Sequence, residues 1–256
     1  MNVASVFRIS EKCTPPVTLE VKEGWSRVDV VSLLNGDKNI GIELGVAKGE
    51  FSKLMLESSA FRRFYGVDAY SDVHDTDEYI AALTNVGVEE VQYSLIRSNF
   101  ASALDLFPDE YFDFIYIDGF AHTGEEGGKT LVDWYPKLKV GGVFAGDDYH
   151  QDWPLVVWAV NDFAIKVGCV LSVTSVNGTS NYSRYPTWYI QKSSRVENLS
   201  VDRALYRIAK REERRLRMLR VGLLGRYFVQ PVRRIFFGLG LKIIWKALSA
   251  ICRRIL

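Results

Sequence analysis

The chain has few cysteines and no long uncharged apolar segment. Its three cysteines, Cys13, Cys169 and Cys252, lie far apart and form no C-x-x-C pair. They therefore predict neither a disulfide framework nor a zinc site, and they fit a reducing compartment. The first residues lack the long apolar core of a secretory signal, and no uncharged stretch reaches the roughly twenty residues of a spanning helix. We expect a cytoplasmic protein.

The formal net charge of +1 conceals a division along the 256-residue chain. Residues 195–256 hold 16 Lys and Arg against 4 Asp and Glu, a balance of +12, and residues 1–194 hold 16 against 27, a balance of −11. Such asymmetry predicts different surroundings for the two segments. We therefore expect an N-terminal lead-in at 1–37, a globular acidic domain at 38–194 and a basic helical tail at 195–256.

Apolar strand-like runs alternate with helix-like stretches in the middle of the chain. This alternation predicts βαβ units, an α/β fold and a mostly parallel sheet. No helical pattern separates the last two strands, so we expect them to form an antiparallel pair at one edge. The predicted strands are 39–44, 64–68, 91–97, 112–118, 143–147, 169–176 and 187–192. The predicted helices are 50–58, 77–85, 99–106, 128–138 and 153–167.

A glycine turn follows the first predicted strand of the domain. The stretch IELGVAKGEF carries the pattern E-x-G-x-x-x-G, in which Gly45 ends the strand and Gly49 opens the helix. Glycine allows close approach of a ligand to the backbone, and a helix N-terminus offers unpaired N–H groups. An ordinary βα turn explains this pattern equally well by itself. However, Asp68 ends the next strand about twenty residues on, where an acid can bind a ribose diol.

Two further apolar runs end in carboxylates. One run ends at Asp118 and another at Asp147 and Asp148, and a histidine, His122 or His150, lies just beyond each. The carboxyl ends of parallel strands form the ligand crevice of an open sheet, where carboxylates can hold a metal or take a proton. The alternative, aspartate as turn former or helix cap, explains one such end more easily than both.

The segments IELGVAKGEFS, YGVDAY and FDFIYIDGFAH…GGVFAGDDY resemble class I S-adenosylmethionine-dependent methyltransferases. Within that class they are similar to metal-dependent sugar O-methyltransferases. The resemblance covers roughly residues 38–192 and implies a Rossmann-like, seven-stranded, mostly parallel sheet with an antiparallel last strand. It implies S-adenosyl-L-methionine as cofactor, together with Mg²⁺ or Mn²⁺. These ions prefer hard oxygen ligands such as carboxylates. The implied cofactor-binding residues are Glu43, Gly45, Gly49, Asp68, Ser98, Asn99 and Asp118, and the implied metal ligands are Asp118, Asp147 and Asp148.

The three histidines, His74, His122 and His150, all fall near the predicted strand-end face. A neutral imidazole is a suitable proton acceptor near physiological pH, so we expect His122 to be the catalytic base and His150 the second candidate. Solvated loop histidines are the alternative for all three. The spacing Asp118-Gly-Phe-Ala-His122 also departs from the Asp-Gly-x-His or Asp-Gly-Asp unit that relatives commonly carry.

Together these features predict a cation-assisted O-methyltransferase that acts on a sugar hydroxyl in glycan, glycolipid or natural-product biosynthesis. Two other hypotheses stay open: a metal-dependent hydroxylase on the same fold, and a non-catalytic cofactor-binding scaffold at a membrane. The acceptor could be a sugar or a lipid-linked saccharide, and the sequence does not identify it. A homo-oligomer is also compatible with the sequence.

The basic tail begins with residues 202–217, which have the pattern of a basic amphipathic helix. Its last residues, 241–256, interleave Lys and Arg with Leu, Ile and Trp. This pattern suits a helix lying in the interface of an anionic leaflet, so we expect peripheral attachment to the inner face of the membrane. A helical arm that packs on a protein partner and a nucleic-acid-binding tail are the alternatives. The high apolar content argues against a purely phosphate-directed tail.

Overall fold

The computed structural model describes residues 3–71, 76–87, 90–176 and 184–224. Within these residues the strands form one eight-stranded sheet in the order β1-β7-β8-β6-β5-β2-β3-β4. The strands are β1 (Leu19–Lys22), β2 (Asn39–Leu44), β3 (Phe61–Asp68), β4 (Tyr93–Arg97), β5 (Phe112–Ile117), β6 (Leu138–Gly146), β7 (Leu171–Thr174) and β8 (Trp188–Gln191).

The sheet is parallel except for β8, which runs antiparallel to both of its neighbours, β6 and β7. The predicted α/β fold with a mostly parallel sheet is thus confirmed. The strand predicted at 39–44 is present with the same ends, and the other six predicted strands are present with ends shifted by up to five residues. The predicted strand count and edge are wrong, because β1 pairs in parallel with β7 from Leu19 opposite Leu171 to Lys22 opposite Thr174. The antiparallel pair of β7 and β8 therefore lies inside the sheet.

Helices lie on both faces of the sheet and enclose two apolar clusters. Along β5 the side chains alternate between these clusters: Ile115 and Ile117 belong to the larger one, and Phe114 and Tyr116 to the smaller one. A central parallel strand is buried on both faces in this way, which explains its continuous apolar sequence. The helices are α1 (Val3–Cys13), α2 (Glu50–Glu57), α3 (Thr76–Val86), α4 (Phe100–Ala103), α5 (Gly124–Gly127), α6 (Lys129–Trp134), α7 (Pro154–Val167) and α8 (Arg203–Leu224).

The predicted lead-in forms part of the fold. It contributes α1, β1 and a 3₁₀ helix, Asp29–Leu33, and Val6 of α1 packs in the larger apolar cluster. Val30 of the 3₁₀ helix is fully buried in the smaller cluster. Residues 3–37 therefore contribute to the apolar packing on both faces of the sheet.

The basic tail begins with α8, which confirms a helix in this region. Asp202 caps it by accepting a hydrogen bond from the backbone N–H of Leu205 at 2.7 Å. Leu205 and Ile208 are buried in the larger apolar cluster, so residues up to 210 form one compact unit with the preceding chain. The rest of the predicted tail, residues 225–256, lies outside the described residues. In the part of the chain that the structure describes, no helix is both long and apolar enough to cross a bilayer.

Candidate active site

The direction in which the strands are added reverses at β2, which lies between β3 and β5. In open α/β sheets, ligands bind at such a switch point, outside the carboxyl ends of the strands. The loops at this edge contain non-glycine residues in the left-handed region: Ala47, Tyr70, Phe120 and Asp148 have φ of 45°, 44°, 60° and 63°. Strained conformations of this kind cluster at functional sites, so the backbone geometry marks the same edge as the strand order.

The predicted glycine turn lies at the switch point. Gly45 has φ of +98°, and a Cβ added to it would lie 2.0 Å from the backbone oxygen of Asp118. Gly49 has φ of +76° and is the N-cap of α2, where an added Cβ would lie 3.2 Å from the Cα of Ala82. Both positions therefore favour glycine. At Gly45 the reason is the close contact between the end of β2 and the end of β5, and at Gly49 it is the positive φ at the start of α2.

Asp68 is 7% exposed and holds the glycine turn through its side chain. Its Oδ2 accepts hydrogen bonds from the backbone N–H groups of Val46 at 3.0 Å and Ala47 at 3.1 Å. Its Oδ1 accepts one from the N–H of Tyr70 at 3.0 Å. The predicted contact of Asp68 with a ribose stays a prediction, and the structure adds that this carboxylate fixes the loop on which a cofactor would rest.

Glu43 is buried beneath the turn and links β2 to α2 by accepting a hydrogen bond from the hydroxyl of Ser52. The Ser52 hydroxyl also lies 2.9 Å from that of Tyr93. Burial raises the pKa of Glu43 to about 8, although the Ser52 hydrogen bond and the charge of Arg27 both lower it. Through its hydrogen bond with Ser52, Glu43 supports the packing of α2 against β2. Its predicted contact with the cofactor stays a prediction.

Ser98 and Asn99 follow β4 at the same edge. The backbone N–H of Ser98 donates to the backbone oxygen of Asp68 at 2.9 Å. Asn99 caps α4, since its side-chain oxygen accepts from the N–H of Ser102 at 2.8 Å. The structure thus places both residues beside the end of β3, and their predicted role near the adenine stays a prediction.

Four carboxylates form an acidic cluster at the ends of β5 and β6: Asp118, Asp147, Asp148 and Glu125. Burial, followed by repulsion from Asp118, raises the pKa of Asp148 to about 7 and that of Asp147 well above its usual range. Burial, followed by repulsion from Asp148, raises the pKa of Glu125 in the same way. Within the described part of the chain, Asp147 Oδ1 and Glu125 Oε2 have no hydrogen-bond partner. Glu125 is not predictable from the sequence pattern because it does not end an apolar strand run.

Arg27, from the predicted lead-in, reaches into this acidic cluster. Its Nη2 lies 3.4 Å from Oδ2 of Asp118, and its Nη1 lies 3.5 Å from Oδ2 of Asp147. Carboxylates are the right donors for Mg²⁺ or Mn²⁺, but the guanidinium lies against the two oxygens that would have to share the ion. Across the described residues, no three or more His, Cys, Asp or Glu side chains converge to hold a metal ion. The predicted metal site at Asp118, Asp147 and Asp148 is therefore not supported.

His122 and His150 lie on a common aromatic group, which we call the aromatic rim: His122, Trp153, Tyr185 and His150. Successive ring centroids along it are 4.8, 6.2 and 4.8 Å apart. The side chain of His122 is exposed. Nδ1 of His150 accepts a hydrogen bond from the backbone N–H of Asp152 at 3.2 Å. The rim follows the ends of β5 and β6, so the structure brings both predicted bases to the predicted face. The third histidine, His74, lies outside the described residues.

Comparison with known proteins finds one family model that matches part of the chain. Residues 42–149, somewhat less than half of the chain, match the family model described as "Methyltransferase domain". This segment begins in β2 and ends just after β6, so it contains the glycine turn, Asp68 and the acidic cluster. No curated protein sequence is significantly similar to the chain.

The similar solved structures share little sequence with this chain. Spermidine synthase from Thermotoga maritima is 14% identical at a TM-score of 0.49, over 77% of this chain and 60% of that chain. A putative O-methyltransferase from Klebsiella pneumoniae is 16% identical at a TM-score of 0.48, over 75% of this chain and 89% of that chain. A putative methyltransferase from Streptococcus mutans in complex with SAH is 14% identical at a TM-score of 0.45, over 64% of this chain and 94% of that chain. The chain thus spans only about 60% of the length of the spermidine synthase.

Proposed function

We propose that this chain, whose residues 42–149 match a methyltransferase domain, is an S-adenosylmethionine-dependent O-methyltransferase that acts on a sugar hydroxyl. The observation that carries the proposal is the glycine turn at the switch point, where Gly45 contacts the backbone of Asp118 and Asp68 fixes the loop. A nucleoside cofactor can approach the backbone most closely where side chains are absent.

Methyl transfer to a hydroxyl is an in-line displacement, in which positioning supplies much of the rate. The acceptor oxygen attacks the methyl carbon, the carbon–sulfur bond breaks with its electron pair moving to sulfur, and the hydroxyl proton passes to a base. The products are a methyl ether and S-adenosylhomocysteine. Bound S-adenosylmethionine supplies the activated methyl group, and the chain has to orient the acceptor and accept its proton.

We assign the base to His122 rather than His150. The Nδ1 of His150 lies 3.2 Å from the backbone nitrogen of Asp152 and 3.5 Å from Oδ2 of the same residue, so this nitrogen is directed at Asp152 and away from an acceptor. His122 has its ring edge-on to Trp153 and is exposed at the end of β5. His122 therefore lies in the loop after β5, where an acceptor bound at this edge of the sheet would contact it.

The aromatic rim supports a carbohydrate acceptor. Trp153 and Tyr185 are half-buried, with their rings nearly perpendicular at 86°, beside the two histidines. Sugars present apolar faces that pack on aromatic rings and hydroxyl groups that bind polar side chains, and ligand sites commonly combine these two features. A rim of two aromatic rings and two imidazoles offers both kinds of contact.

The basic charge of the tail supports a lipid-linked saccharide at an anionic membrane as the acceptor. The exposed arginines Arg203, Arg207, Arg211 and Arg214 recur every three or four residues, which places them on one face of α8. The tail as a whole carries +12 and the preceding chain −11. Basic segments of this kind are attracted to anionic leaflets. We propose peripheral binding to such a surface.

The test is calorimetry with S-adenosylhomocysteine, followed by a screen of nucleotide sugars and glycolipids with isotope-labelled S-adenosylmethionine. We expect saturable binding of S-adenosylhomocysteine and a product in which one methyl group has replaced a hydroxyl hydrogen. The product should survive mild alkali, because a methyl ether is stable where a methyl ester is hydrolysed. Absence of nucleoside binding would refute the proposal. Binding together with iron-dependent oxygen consumption and no methyl transfer would favour a hydroxylase instead.

A further inference from the structure

The N-terminal segment delivers one buried arginine to the acidic cluster. Arg27 lies between β1 and the 3₁₀ helix Asp29–Leu33. The preceding Trp25 stacks on Tyr189 with centroids 6.2 Å apart, and its backbone oxygen accepts a hydrogen bond from the N–H of Val176 at 2.9 Å. Because β1 is parallel to β7, this loop leaves the sheet at the edge where the acidic cluster lies. The position of Arg27 is therefore fixed by the fold.

The Arg27 guanidinium is held on its edge and on its face. Along the edge, one terminal nitrogen faces Asp118 and the other faces Asp147, at 3.4 and 3.5 Å. On the face, the central carbon lies 4.3 Å from the ring centroid of Phe51 and 5.2 Å from that of Tyr116. The side chain is only 10% exposed. A planar, permanently charged group suits this combination of two carboxylates and aromatic rings better than an ammonium does.

The same two carboxylate oxygens cannot bind Arg27 and a divalent ion together. Mg²⁺ requires oxygens at about 2.0–2.1 Å and Ca²⁺ at about 2.3–2.6 Å. An ion shared by Asp118 and Asp147 would lie where the guanidinium lies, since both Oδ2 atoms face that group. Two cations in one buried site also repel each other strongly. Occupancy by one therefore excludes the other.

We propose that Arg27 is the resident cation of the acidic cluster, in the place of a divalent metal. It is a positioning residue: its single positive charge is shared between Asp118 and Asp147, and it holds them at the ends of β5 and β6. The chain accordingly takes up no Mg²⁺ or Mn²⁺ between these carboxylates. The corollary that methyl transfer needs no divalent metal rests on the proposed function, whereas cation occupancy can be measured without any reaction.

The experiment is a Mn²⁺ titration of the full chain followed by electron paramagnetic resonance, in which bound Mn²⁺ loses its free-ion signal. The variants are Arg27→Met, which removes the charge, Arg27→Lys, which keeps it, and Arg62→Met, a matched control at an exposed arginine. We expect weak binding to the wild type, Arg27→Lys and Arg62→Met. Arg27→Met should bind Mn²⁺ about tenfold or more tightly, because its buried carboxylates are left without a counter-charge.

A purely structural role for Arg27 would not make Mn²⁺ binding depend on charge at position 27. The double variant Arg27→Met with Asp147→Asn should lose the gained binding, which places the ion in the cluster. Tight Mn²⁺ binding by the wild type that Asp147→Asn abolishes would overturn the inference even where Arg27→Met fails to fold. Equal Mn²⁺ affinity in folded Arg27→Met and wild type would overturn it as well. Calorimetry with S-adenosylhomocysteine on the wild type tests the proposed function separately.

Discussion

Gly45 is the residue at which a single methyl group should most directly disturb the site. An alanine Cβ would overlap the backbone oxygen of Asp118 at 2.0 Å, and the positive φ adds strain. We expect Gly45→Ala to weaken S-adenosylhomocysteine binding about tenfold or more, because the turn must move. Gly36→Ala is the matched control, since Gly36 has φ of +69° and open space around an added Cβ. It should cost ~1 kcal/mol of stability and leave affinity unchanged. Calorimetry that finds equal affinities for both variants would contradict this role of Gly45.

Glu43 makes stability depend on pH, with a sign set by its raised pKa. Its pKa is about 8 when folded and 4.5 ordinarily, so between these values the folded chain keeps a proton that the unfolded chain has released. The free energy of unfolding therefore falls as pH rises through this window. Glu43→Gln can still accept from Ser52 but cannot titrate. Urea unfolding at several pH values should show a shallower fall for Glu43→Gln than for the wild type, and identical slopes would remove Glu43 as a cause.

The two histidines of the aromatic rim should differ in their effect on catalysis. We expect His122→Asn to lower kcat by about 10²–10⁴-fold, the usual contribution of a general base. His150→Asn should lower it far less, because the His150 lone pair is engaged by the N–H of Asp152. Initial rates with an identified acceptor measure this, and unchanged S-adenosylhomocysteine affinity shows that the cofactor site is intact. The opposite ranking would assign the base to His150.

Strand-end residues could be predicted from the sequence, but their partners could not. Asp68, Asp118 and Asp147 were identifiable because an acid that ends an apolar run marks the carboxyl edge of a strand. Arg27 was not, because it is separated from Asp118 by 91 residues and from Asp147 by 120. No local pattern records such a contact. The metal prediction therefore named three carboxylates at strand ends, but it included neither Glu125 nor Arg27, which lies beside two of them.

At the scale of elements, burial decided which predictions succeeded. The central strands carry continuous apolar runs because both of their faces are covered. The edge strand β1 has only four residues, Leu19–Lys22, of which the first three are exposed, so its sequence has no apolar run to recognise. The helix α1 was missed because it falls before the first recognisable strand. Elements at the edge of a fold depend most on tertiary contacts, and single-sequence patterns are least informative there.

The first turns of α8 should contribute to the stability of the preceding chain. Leu205 is fully buried in the larger apolar cluster. Leu205→Ala removes that packing and leaves a cavity, for which we expect a loss of about 2–5 kcal/mol in the free energy of unfolding. Met218→Ala, at a position of the same helix that is 76% exposed, is the control and should change stability by about 0.5 kcal/mol or less. Urea unfolding measures both, and equal losses would show that the helix contributes little through Leu205.

At the scale of the whole molecule, the packing of α8 determines where the tail can be removed. The charge boundary falls near residue 195, but a cut there would expose the apolar cluster that Leu205 and Ile208 cover. A cut after residue 224 keeps every described residue. It removes seven basic residues and no acidic ones: Arg226, Arg233, Arg234, Lys242, Lys246, Arg253 and Arg254.

We expect the full chain to sediment with anionic vesicles and to be released by high salt, and the 1–224 variant to stay largely in the supernatant. Near an anionic leaflet each basic residue contributes about 1 kcal/mol, and salt screens that attraction. Residues 1–224 hold 25 Lys and Arg against 31 Asp and Glu, a balance of −6, so they are repelled overall and the seven basic residues beyond 224 supply the net attraction. Zwitterionic vesicles are the control and should retain neither protein. S-adenosylhomocysteine affinity should be the same for both, because the glycine turn and Asp68 are untouched. Binding of both proteins to the anionic vesicles would assign the attraction to the basic face of α8, and absence of both from the vesicles would favour an arm that binds a protein partner.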